Sequence, residues 1–280
     1  MNKKTITMLN KVPEVTLVFW LIKVMATTVG ETGADFLSTT LNLGLVNTSY
    51  VMSALLLVVL LFQFRAKKYI PTLYWVAVVL ISIMGTLISD NLAENLGISL
   101  ITTSMLFGAG LIVTFIWWYA SERTLSVHTI VTTRREAFYW AAILFTFALG
   151  TSGGDLISER LNLGYALSAL MFVTVIAVIY LAHRFANMSE VLAFWLAYIL
   201  TRPLGACMGD LLTQDPSVGG FGISTTAITV IFLSSIIGLV VYLTMQEKKK
   251  VLFPSTAWSS AVEPAIPLPG GAIPLPEEMS

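Results

Sequence analysis

The chain has 280 residues, of which 56% are hydrophobic and only 11% charged, with a mean hydropathy of +0.82. Sixteen Lys and Arg balance sixteen Asp and Glu for a formal net charge of zero. A soluble domain carries about 25% charged residues, so this composition excludes an ordinary cytosolic enzyme, a nucleic-acid binder and a disordered regulator.

The single cysteine, Cys207, excludes a disulfide framework and a cysteine-based structural zinc site. A transmembrane helix needs about 20 apolar residues, and eight such stretches follow one another near 15–36, 46–64, 70–90, 100–120, 136–156, 165–183, 190–211 and 223–244. Every backbone polar group in a bilayer must be satisfied within the structure, so the expected fold is all-α, a polytopic membrane protein of eight transmembrane helices. No small-residue cleavage site follows the basic start MNKKTITMLNK, which reads as the mature N-terminus rather than a signal peptide.

Basic residues set the orientation. Lys3, Lys4 and Lys11 precede the first span; Arg65, Lys67 and Lys68 follow the second; Arg123, Arg134 and Arg135 follow the fourth; Arg184 follows the sixth and Lys248 to Lys250 the eighth. Thirteen of sixteen thus fall on one face, with Arg160 alone on the other, and the positive-inside rule makes both termini cytoplasmic. The segment 251–280 repeats AIPLP at 265–269 and 272–276 and is expected to be an extended or disordered tail.

Internal repetition organises the rest. Trp20, Trp75, Trp140 and Trp195 each stand ten residues before Gly30, Gly85, Gly150 and Gly205, and each glycine stands five before Asp35, Asp90, Asp155 and Asp210. The pattern W-x9-G-x4-D therefore occurs four times, always on an odd-numbered span. Copies one and three are offset by 120 residues, as are two and four, and STTLNLG (38–44) matches SERLNLG (158–164) at five of seven positions. The chain reads as a two-helix hairpin quadruplicated through a duplicated pair, with halves 1–122 and 123–250. All copies share one orientation, so the repeats are parallel about the membrane normal.

On the four tryptophans, and most typically on KVPEVTLVFWLIKVMATTVGETGADFL (11–37), the sequence resembles a family of bacterial polytopic membrane proteins built from four tandem copies of a two-helix repeat of unknown function. The resemblance covers residues 11 to about 245 and implies the organisation, a bacterial cell membrane, and no activity.

Chemistry must come from the residues. Lys23, Thr27, Glu31 and Asp35 form an i, i+4 stripe along the first span. The even spans carry almost no ionisable groups, so the odd spans are expected to line the interior and the even ones to face lipid. An aspartate near a helix C-terminus opposes the macrodipole and needs a basic partner, N–H groups at a helix break, or a cation. The four motif aspartates are expected as cation ligands or as Asx-type caps of the outer turns. The tryptophans suit a cytoplasmic interfacial belt or a pore lining, and the glycines suit packing at helix crossings or hinges.

Glu31 is single-copy, with Thr86, Thr151 and Ala206 at the equivalent positions, and Lys23 and Arg202 are single-copy too. Glu31 is expected either to take part in cation binding or to neutralise Arg202 or Lys23 in a buried pair. Eight acidic residues (Glu31, Asp35, Asp90, Glu94, Asp155, Glu159, Asp210, Asp215) face Lys23, Arg202 and Arg160, and convergent oxygens suit hard cations such as Mg²⁺, Mn²⁺ or Ca²⁺.

The expected function is a non-enzymatic transporter of small cations, foremost a divalent metal as substrate, with no cofactor. Glu31, Asp35, Asp90, Asp155 and Asp210 would form the site, Glu31, Asp35 and Asp155 the metal ligands, and Lys23 and Arg202 the counter-charges. A channel with a carboxylate ring and a carrier of a small organic solute are the alternatives. Expected partners are the lipid bilayer and the cation, with no nucleic acid and with room for a homo-oligomer.

Overall fold

A computed structural model describes residues 10–252. The expected extended tail, from Phe253 on, lies outside the described residues. The secondary structure of the described residues is helical throughout: α1 Leu17–Asp35, α2 Gly44–Arg65, α3 Pro71–Asp90, α4 Leu100–Glu122, α5 Thr133–Asp155, α6 Tyr165–Phe185, α7 Glu190–Thr213 and α8 Thr225–Leu252. All eight are long and apolar enough to cross a membrane. Their starts are marked locally: Thr16, Ser99, Thr132 and Ser189 accept the N–H three residues on as N-caps of α1, α4, α5 and α7, and Pro71 opens α3.

The odd helices carry the core. Between 56 and 72% of their spanning residues are buried, against 17 to 28% for the even helices, so the sorting expected from charge placement holds. The odd helices close a ring in which α1 packs on α3, α3 on α5, α5 on α7 and α7 on α1. The even helices stand outside it, and each leans on the odd helix of the following repeat: α2 on α3, α4 on α5, α6 on α7. α8 completes the cycle, since Thr229 Oγ1 donates to Thr32 Oγ1 of α1 at 3.0 Å.

The motif glycines close the ring. A Cβ on Gly30 would overlap Ser82, one on Gly85 would lie 2.7 Å from Phe147 Cβ, one on Gly150 would overlap Arg202, and one on Gly205 would overlap Thr27. Each partner stands three residues before the glycine of the next copy, cyclically. Glycine is needed because the backbones meet where any side chain would hold them apart, so packing rather than hinging is its role.

At the end away from the N-terminus, three of the odd helices pass into one π-helical turn directly after the motif aspartate: Phe36–Thr40, Asn91–Asn95 and Leu156–Arg160. The recurrent LNLG string follows from the turn itself. Asn42 and Asn162 adopt φ of 56° and 55°, and Gly44 and Gly164 adopt 73° and 76°, the left-handed region that Asn and Gly tolerate best. The fourth copy lacks the π turn; its longer connection carries a short 3₁₀ turn, Pro216–Val218.

Candidate functional site

At the basic end, where the odd helices begin, each motif tryptophan is preceded by an aromatic residue: Phe19, Tyr74, Tyr139 and Phe194. These pack cyclically on the tryptophan of the next copy, Phe19 on Trp75 at 5.6 Å, Tyr74 on Trp140 at 5.5 Å, Tyr139 on Trp195 at 6.3 Å and Phe194 on Trp20 at 5.8 Å. The hydroxyls of Tyr74 and Tyr139 share a hydrogen bond of 2.5 Å. Trp75, Trp140 and Trp195 are buried and Trp20 half-buried, which corrects the interfacial-belt expectation: the indoles knit adjacent odd helices together. The pairs FW, YW, YW and FW stand in the sequence and extend the repeat motif by one position.

Beneath this aromatic layer the segment before α1 reaches across the ring. Lys11 Nζ donates to Glu136 Oε2 of α5 at 2.6 Å and to the Phe64 carbonyl at 3.1 Å. Gln63 Nε2 donates to the other oxygen of Glu136 at 3.0 Å, and the Lys11 N–H to the Ile130 carbonyl at 3.0 Å. Lys11, Gln63 and Glu136 are all buried. Because α1 and α5 are opposite corners of the ring, these bonds tie a strap over its basic end.

About two turns further in, the ring is filled. Lys23 Nζ lies 4.2 Å from the ring centroids of both Phe147 and Tyr198, which stack with planes 3° apart. Its ammonium makes no hydrogen bond and is held by the faces of the two rings. It therefore does not act as a direct partner of Glu31.

That partner is Arg202. Its Nη1 and Nη2 donate to Glu31 Oε2 at 3.3 and 3.2 Å, Nη1 also to the Thr27 carbonyl at 3.3 Å, and Nη2 to Thr151 Oγ1 at 2.7 Å and to Thr86 Oγ1. Thr86 and Thr151 occupy the position of Glu31 in copies two and three, so one guanidinium gathers three of the four equivalent positions. Arg202 is fully buried and Glu31 nearly so. The buried-pair expectation for Glu31 is met, and the odd helices are cross-linked at mid-depth.

The motif aspartates lie one turn beyond Glu31. Each feels the charge of Glu31, and charge also couples Asp35 with Asp90, Asp90 with Asp155, Asp155 with Asp210 and Asp210 with Asp35, while the Arg202 guanidinium acts on Asp90 and Asp155. None forms an ion pair among the described residues. Asp35, Asp90 and Asp155 make no side-chain capping bond to the turns they precede, which corrects the Asx-cap expectation for these copies. The carboxylate that does cap is Asp215, outside the motif. It accepts from the hydroxyl and the N–H of Ser217, the latter at 2.8 Å, which holds its pKa below the usual carboxylate value. Among the described residues no three His, Cys, Asp or Glu side chains converge as a preformed metal cluster.

A closed ring of helices long and apolar enough for a bilayer, with four copies of one motif and its charges sorted by depth, defines a multi-pass membrane protein of internal repeats. The sequence matches the Repeat of Unknown Function (DUF347) four times in tandem, at residues 18–69, 73–124, 138–189 and 193–249. The chain belongs to that family. No curated protein and no solved structure matches it.

Proposed function

We propose that this protein is a carrier of small inorganic cations, with a divalent metal ion as substrate, lying in a bacterial cell membrane with both termini in the cytoplasm. The observation that carries the reading is the circuit of motif aspartates, none of which forms an ion pair among the described residues and three of which, Asp35, Asp90 and Asp155, make no capping bond. Intramembrane carboxylates are expensive and usually face a polar route, and rings of carboxylates select cations. The aspartates gather a hydrated cation at the outer mouth. Glu31 receives it in exchange for Arg202, whose guanidinium keeps Thr86, Thr151 and the Thr27 carbonyl as partners when it leaves the carboxylate.

A carrier is favoured over a channel because Lys23, Phe147 and Tyr198 fill the ring below this layer and the strap spans its basic end. Passage then requires the odd helices to move, as alternating access does. The test is flux into proteoliposomes loaded with a divalent-ion indicator, with Mg²⁺, Mn²⁺, Ca²⁺ and Zn²⁺ offered in turn. Glu31→Gln is expected to lose at least about tenfold in rate, the loss of a charged ligand. Unchanged flux in that variant, or no flux of any ion in the wild type, overturns the reading.

A further inference from the structure

A groove of about 480 Å³ lies on the outside of the bundle between α4 and α5, lined by Gly110, Val113 and Trp117 on one side and Arg134, Ala141 and Phe145 on the other. At its inner end the Phe145 ring packs on the bare backbone of Gly110, where a Cβ would collide with it. The lining is almost wholly apolar, and Trp117 beside it is exposed. Arg134 is the one charged residue among those lining it.

Length and charge identify the occupant. Arg134 and Phe145 are eleven residues apart on one helix, about 16 Å of rise, which is about half of a hydrocarbon core about 30 Å thick. The groove thus runs from the basic end to mid-membrane, the depth of a single leaflet. A partner helix would continue through both leaflets; an acyl chain would not. At the mouth, Arg134 donates to Ser121 Oγ at 2.6 Å and its Nε lies 3.7 Å from Glu122 Oε1. Glu122 is already held by Arg135 at 2.8 Å. Two guanidiniums share one carboxylate, leaving a positive charge at headgroup level. Equivalent positions in the other copies are Glu14, Tyr69 and Ser189, none of them basic.

We propose that the α4–α5 groove is a binding site for an anionic phospholipid, one acyl chain lying along Gly110 and Ala141 and the phosphate meeting Arg134. The site stands whatever the bundle carries.

The full chain, purified in detergent, would be titrated with phosphatidylglycerol and with phosphatidylcholine of the same chains, and bound lipid counted by native mass spectrometry. The expected result is one lipid retained, with phosphatidylglycerol favoured by about fivefold to tenfold. Arg134→Gln, at an exposed side chain, should abolish the preference while leaving the melting temperature unchanged; Ala141→Trp should fill the groove and lose both lipids. Equal retention of the two lipids by the wild type overturns the proposal, as does a preference that survives Arg134→Gln. Displacement of the bound lipid by glycerol phosphate, which has no chains, would also overturn it by reducing the site to a phosphate contact.

Discussion

The two ends of the odd-helix ring are built on opposite rules. At the basic end buried charge is paired and hydrogen-bonded: Glu136 is held by Lys11 and Gln63, and Glu122 by Arg135, above which eight aromatic rings interlock copy to copy. At the acidic end the motif aspartates feel one another and Glu31, and no basic side chain among the described residues forms an ion pair with them, Arg202 acting on Asp90 and Asp155 only at longer range. A buried pair missing one partner is strongly destabilised, whereas a carboxylate making no bond loses none when it is neutralised. One end is organised to hold the fold, and the other leaves its charge available to something from outside.

Breaking the holding end should therefore be costly. Glu136→Ala leaves Lys11 buried without its carboxylate, and about 3–5 kcal/mol of stability should be lost, seen as a marked drop in melting temperature in detergent. A drop no greater than that of the exposed Glu190→Ala would erase the contrast. Gly150→Val tests the ring itself: its Cβ enters the space of Arg202, and overpacking of this kind costs about 1–3 kcal/mol. Trp195→Phe keeps the ring contacts but removes the indole donor to the Leu125 carbonyl at 2.9 Å, so about 0.5–1.5 kcal/mol should go. A Trp195→Phe variant less stable than Gly150→Val would show that the aromatic layer, rather than the glycine contacts, closes the bundle.

Much of the ring was legible in the sequence. Spacing located the glycines, and the confinement of charge to odd spans sorted inside from outside, because a bilayer penalises any other arrangement. Broken symmetry singled out Glu31 and Arg202, and they meet. Lys23 differs: helical spacing puts it on the Glu31 face, but its ammonium lies over the rings of Phe147 and Tyr198 from two other helices, which spacing along one helix does not encode. The strap was invisible for the same reason. Lys11 read as one more flanking positive charge, and its partner is 125 residues away. Nor does the sequence repeat coincide with the packing unit: hairpins repeat as odd then even, yet each even helix packs along the next odd one, a handover that depends on ring closure. The π turns were hidden too, because one extra residue per turn leaves no compositional mark.

The smallest expected effect on stability decides most about the acidic end. Asp90→Asn and Asp155→Asn remove charge while keeping shape, and neither residue has an ion pair or a capping bond to lose, so stability should change by less than about 0.5 kcal/mol. Cation flux in the same preparations should fall, more steeply in the double variant than in either single one, because the circuit attracts by its summed field. A loss of stability approaching that of Glu136→Ala would instead make the aspartates fastenings of the outer turns, and the two ends of the ring would then differ in charge but not in purpose.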